Sequence, residues 1–165
     1  MKTIKLTFKR DELLYDIKNV AFVEGDVIPG GTENNRHQTI DIAEEGNIDR
    51  VTRILDFVFA EIVESLYVLT RSDVADGTVK TDTFTETGVY TANLNVDDSF
   101  SDTSAEYLEK LIHELLVARV LGEWLSITNP TASEKWLLKA NDVKDKILST
   151  SRKTSKRSRL KLHPW

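Results

Sequence analysis

The chain contains no cysteine, one methionine, three prolines, seven glycines and three histidines in 165 residues. Without a thiol there is no disulfide framework, no thiolate metal site and no cysteine nucleophile. No apolar run approaches the roughly 20 residues that cross a bilayer, so no membrane partner is expected. Met1-Lys2-Thr3-Ile4-Lys5-Leu6 lacks an apolar stretch long enough for a signal peptide, and none is expected. A glycine-rich phosphate loop is missing as well, because Gly30-Gly31 follows Pro29 and leads into polar residues rather than from strand to helix. There is no Gly-x-Ser-x-Gly elbow. No cofactor and no small-molecule substrate are therefore expected.

Acidic residues are missing from one place in particular. All 27 lie within residues 1–145 together with 15 of the 22 basic residues, so that stretch carries −12. Residues 146–165 hold the other seven basic residues and no acid, giving +7. The formal charge of −5 conceals this division. With 40% apolar and 30% charged residues, the composition predicts a soluble folded chain. The length suits one domain with a sizeable core.

Apolar spacing places the elements. Ile4, Leu6 and Phe8 alternate with Lys5, Thr7 and Lys9, which predicts a short N-terminal strand. Asp11 can open one or two helical turns carrying Leu13, Leu14, Ile17, Val20 and Ala21, with Gly25-Asp26 as a break. Residues 29–39 (PGGTENNRHQT) have no hydrophobic period and predict a polar loop. Ile48, Val51, Leu55, Val58, Ile62, Leu66 and Leu69 recur at steps of three and four, predicting a long central helix with Asn47 as N-cap. Ile54, Phe57, Phe59, Val63 and Tyr67 widen its apolar arc, so it is expected to touch neighbours on several sides.

Residues 78–96 predict a β-hairpin: Thr78 to Thr85, a turn at Glu86-Thr87-Gly88, then alternating Tyr90, Ala92, Leu94 and Val96. Its polar face predicts an exposed ribbon. Thr103 and Glu106 have capping-box spacing at the start of a helix that stops at Thr128-Asn129-Pro130. Pro130 suits the first position of a following helix carrying Ala132, Trp136, Ala140, Val143 and Ile147. The short break predicts an antiparallel helical pair, with Trp124 and Trp136 in its core. The expected fold class is mainly α (α+β): a bundle of about three to four helices, the hairpin and the short N-terminal strand. Residues 1–150 form the domain and 151–165 an extended basic tail.

Candidate chemistry is sparse. His113-Glu114 opens like a zinc-protease helix, but Val117 stands where the second ligand belongs, so no metal site is expected. Glu61 and Glu64 lie three apart like a glycosidase pair, although such pairs are usually a helix's solvated face. Asp97, Asp98 and Asp102 lack the glycine and distal glutamate of a calcium loop. No catalytic residue is assigned and the chain is not expected to be an enzyme.

The tail is the main candidate for function. Arg152, Lys153, Lys156, Arg157, Arg159 and Lys161 have the charge to hold phosphates without reading sequence, so non-specific DNA contact is one expectation. Docking on a neighbouring protein is the other. Leu160 and Leu162 alternate with Arg159 and Lys161 as a strand added to a sheet edge would, and Trp165 lacks a local core. A −12 body beside a +7 tail favours head-to-tail self-association.

From Thr103 to Trp165, through YLEKLIHELLVARVLGEWLSITNP and SEKWLLKANDVKDKILSTSRKTSKRSR, the chain resembles the small head–tail connector (adaptor or head-completion) proteins of tailed bacteriophages. In outline the likeness extends to the helix at 47–71. The resemblance implies a structural protein in the virion neck, assembled in the host cytoplasm. It implies a homo-oligomeric ring of roughly a dozen copies around the DNA channel, joining portal to tail and neck proteins, without catalysis. The alternative is a nucleic-acid-binding or protein-interaction module acting through the basic tail.

Overall fold

A computed structural model describes residues 1–27, 33–74 and 87–152. Its elements are strand β1 (Lys2–Lys9), helices α1 (Arg10–Val27) and α2 (Glu33–Ile40), a single 3-10 turn (Asp41–Ala43) and helices α3 (Glu45–Ser65) and α4 (Tyr67–Val74). Strand β2 (Val89–Val96) and helices α5 (Asp102–Thr128) and α6 (Pro130–Arg152) follow. The class is mainly α with one antiparallel strand pair, as the spacing predicts, though with more helices.

Helix α5 is the centre. From Leu108 to Leu125 its buried residues point in every direction around the axis: Leu108, Leu111, Ile112, Leu115, Leu116, Val117, Ala118, Val120, Leu121 and Trp124. A helix apolar on all sides must be surrounded, and here α1, α3 and α6 pack around it. By contrast α3 keeps a one-sided stripe of Val51, Leu55, Val58 and Ile62, and leaves Phe57 exposed. α5 is thus in contact on every side, and α3 also meets several neighbours, packing on α5 and the strand pair and bonding to α6, as expected from the run at 47–69.

The α5–α6 pair is antiparallel, turning at Asn129. The Asn129 side-chain oxygen accepts from the Ala132 amide at 3.3 Å and caps α6, whose first residue is Pro130. Close approach is possible because Gly122 faces Leu137: a Cβ there would lie 2.7 Å from Leu137 Cδ2. Ser133 Oγ donates to the Gly122 carbonyl at 2.8 Å across the same contact.

β1 pairs antiparallel with β2, with Leu6 opposite Ala92 and Phe8 opposite Tyr90. Leu6, Phe8, Tyr90, Ala92, Leu94 and Val96 are all buried, so β2 is a wall of the core and not a projecting ribbon. The expected first arm, 78–85, lies outside the described residues. Phe59 of α3 bridges the sheet, 6.2 Å from the Phe8 ring and 5.2 Å from Tyr90. Tyr90 Oη donates to Asp56 at 2.8 Å. Burial, then this bond to a carboxylate, pushes the Tyr90 hydroxyl far above its ordinary pKa.

Several local expectations are corrected. α1 runs 18 residues, through Gly25, because Leu13, Ile17, Ala21 and Gly25 form one buried i, i+4 row. Part of the expected 29–39 loop is helix α2, held by Trp124, whose Nε1 donates to the Gln38 carbonyl at 3.0 Å. The long central helix is interrupted at Leu66. There Ser65 Oγ bonds the Glu61 carbonyl and Thr70 Oγ1 the Val63 carbonyl, diverting acceptors from the helix ladder. Glu44, not Asn47, caps α3, and the Asn47 amide donates to the Asp41 carbonyl instead. α5 begins at Asp102 with Ser101 as its N-cap, two residues before Thr103, and without a side-chain cap bond.

Two substitutions test this packing. Leu116→Ala should lower unfolding free energy by about 2–5 kcal/mol, the cost of an unrelieved core cavity. Gly122→Val should cost about 1–3 kcal/mol by forcing α5 and α6 apart. Urea denaturation followed by circular dichroism reads both, and an unchanged midpoint in either would contradict the packing described.

Candidate docking surface

Of the nine predicted docking residues, the structure places Arg152, the last residue of α6 and exposed. Lys153, Lys156, Arg157, Arg159, Leu160, Lys161, Leu162 and Trp165 lie outside the described residues. What the structure does show is the body from which that segment departs, and how its acids are used.

Many of those acids tie elements together. Asp98 pairs with the N-terminal ammonium at 2.9 Å and Asp102 with Lys2 at 2.7 Å, so the linker acids anchor the start of β1. The Lys2 hydrogen bond and charge hold the Asp102 carboxyl below its ordinary pKa. Asp97 accepts from the Ser99 amide at 2.9 Å, forming a turn. Glu24 of α1 pairs with Lys135 of α6 at 2.7 Å. Glu61 and Glu64 do not act as a pair: Lys144 Nζ donates to Glu61 Oε1 at 2.5 Å, joining α3 to α6. Glu64 is exposed.

Glu61 and Lys144 also line a cavity of about 20 Å³, with Val58, Ile62, Leu115 and Ile147. That is room for about one water. Hydrogen bonding to Lys144 holds the Glu61 carboxyl below its ordinary value, against the opposing effect of burial, with Arg119 adding a smaller attraction.

His113 lies in a more open groove of about 380 Å³ between β1, α1 and α5, lined by Thr7, Phe8, Glu12, Glu109, Lys110 and Glu114. Asp16 Oδ2 accepts from His113 Nε2 at 2.7 Å, which ties α5 to α1. Val117, one turn after His113, is buried in the core. Among the described residues, no three metal-ligating side chains come together. No described helix is long and apolar enough to cross a membrane.

Among the described residues twelve large apolar side chains are exposed, and four of them lie on α1. Tyr15 and Phe22 stand two turns apart on the side of the helix opposite Leu13 and Ile17, and Val23 and Val27 form a second pair roughly 110° further round. They are 67%, 54%, 61% and 74% exposed respectively. Four exposed apolar side chains on one helix mark an interaction surface more than a scatter of single exposed residues would. Sequence reasoning stopped at the inner row of this helix. The signal was available in the remainder: once Leu13, Ile17 and Ala21 face inward, Tyr15 and Phe22 must face out. Trp124 and Trp136, by contrast, are both buried, as expected for the helical pair. Lys139 lies 4.7 Å from the Trp136 ring centre.

No protein-family model matches the sequence, no curated protein is similar to it, and no solved structure matches the fold.

The Glu61 tie has a pH signature. Its folded-state pKa is lowered, so its contribution is present above the ordinary glutamate value of 4.5 and is lost as pH falls through the folded value. Wild type should thus be more stable than Glu61→Gln at neutral pH, and the difference should shrink as pH drops below about 4.5. Thermal melts from neutral pH down to pH 3 check this, and a pH-independent difference would contradict it.

Proposed function

We propose that the protein is a structural subunit of a self-assembling ring, a head–tail connector of the tailed-phage kind that joins portal to tail around the DNA channel. It acts by docking, without catalysis. The observation that carries the reading is the separation of charge along a rigid body. Residues 1–145 carry −12, and the +7 segment starts in the last turns of α6 and continues beyond it. Opposite charges at opposite parts of one chain attract between copies more productively than within a uniformly charged surface. Each copy presents both a donor and an acceptor, and a head-to-tail contact repeated with rotation closes a ring.

The geometry of α5 and α6 supports the same reading. The two longest helices form one pair, pinned at Asn129 and at Ser133–Gly122, and α6 carries Lys146 and Arg152, the first two residues of the basic segment. The acidic body disfavours DNA as the main partner: outside the tail, a duplex would meet a surface of its own sign.

Truncation tests this. The cut belongs after Arg152, because Thr150 is buried and α6 continues past it. The truncated chain should keep its helical circular dichroism and lose higher-order assembly in native mass spectrometry. A truncated chain that still forms rings would overturn the reading. If the truncation instead removes only salt-sensitive duplex binding, with assembly unaffected, the tail is a nucleic-acid contact.

A further inference from the structure

We propose that the outer face of α1 receives the C-terminal segment, residues 159–165, of a second copy of this chain. Resting on the assembly reading above, this names the surface on which the tail docks. The α1 surface offers Tyr15, Phe22, Val23 and Val27 to solvent on a helix of net charge −3, whose Asp16 and Glu24 are already paired with His113 and Lys135. The segment Arg159-Leu160-Lys161-Leu162-His163-Pro164-Trp165 has the complementary composition: cations interleaved with leucines, then a tryptophan. Burying the three large apolar side chains of the segment against the four of the helix removes both from water. An aromatic anchor within an apolar pocket, rimmed by opposite charge, is how a short peptide usually gains its affinity.

The positions of the elements set the distance that the tail must cover. Asp16–His113 and Glu24–Lys135 fix α1 against the α5–α6 pair, with the end of α1 beside the start of α6. Arg152 comes 17 residues after Lys135, which is about 25 Å along the helix at 1.5 Å per residue. Arg152, the last described residue, therefore lies about 25 Å along α6 from the contact that holds the Phe22–Val27 end of α1. Thirteen residues beyond Arg152 span up to about 43 Å when extended, enough to cross onto an adjacent copy.

A complementation experiment with full-length chains decides the matter. One variant carries Phe22→Asp and Val27→Asp, which leave the buried row of α1 intact; the other stops after Arg152. Tyr15→Asp serves as a second face variant should the double substitution reduce helicity. By analytical ultracentrifugation the wild type should form higher-order species that dissociate as salt rises. Each variant alone should be monomeric. An equimolar mixture should give a one-to-one heterodimer, because the face variant retains its tail and the truncated chain retains its face. Tail affinity for the substituted face should be at least tenfold weaker.

A mixture that stays monomeric, with wild type assembled, overturns the proposal. So does a folded face variant that assembles like wild type. In the latter case truncation would still abolish assembly, leaving the connector reading standing with the tail docked elsewhere. Wild type that is monomeric at every concentration overturns both.

Discussion

One constraint governs the rest of the structure: α5 is apolar around its whole circumference over five turns. No arrangement with a single packing partner satisfies such a helix, so the chain must supply neighbours on every side. α6 covers one side through the Gly122–Leu137 approach. α1 covers another and is clipped in place by Asp16 and His113. α3 closes a third, with Lys144 reaching across to Glu61. Each of those helices is amphipathic because it is covering α5, and each turns its remaining surface outward. The exposed stripe of α1 is the by-product of this arrangement: its inner row is committed to the core, and its outer row has no partner within the described residues.

The acidic balance of the body acquires a second meaning from the fold. Asp16, Glu24, Glu61, Asp98 and Asp102 each bridge segments distant in the chain. Most of these pairs are exposed enough that each contributes little to stability alone. Their value is positional, since they set the rotation of α1 and α3 about α5, and hence which residues of α1 face solvent. Of the features that looked most like chemistry, Glu61 and the linker residues Asp98 and Asp102 are fastenings, and Glu64 is solvated surface.

Much of this was legible in the residues. The alternation of β1 and β2 and the Asn129-Pro130 turn are strong local patterns, and they appear where the sequence places them. The failures share a cause, which is tertiary override of local preference. α2 has almost no hydrophobic period, and it is a helix because Trp124 and the adjoining turn hold it there. Gly25 reads as a breaker until its place on the buried row of α1 is known. The break at Leu66 arises from hydroxyls taking carbonyls out of the ladder, which apolar spacing cannot register. For the docking surface, the tail was visible as composition, but its counterpart was not. An exposed apolar stripe can be recognised only by subtracting the buried one, and that subtraction needs the partners of the helix.

The pairing of β1 with β2 also bears on how the chain comes to be folded at all. β1 leaves the ribosome well before its partner strand, which is complete only at Val96. At roughly 5–20 residues per second, the wait for the intervening residues lasts on the order of several seconds. Throughout that time Ile4, Leu6 and Phe8 form an unmatched adhesive edge on a nascent chain. Lys2, Lys5 and Lys9, spaced along the same strand, place a positive charge near each of them. Charges so placed repel a second nascent copy from the same edge. Those three lysines thus guard the strand against self-pairing until β2 is available.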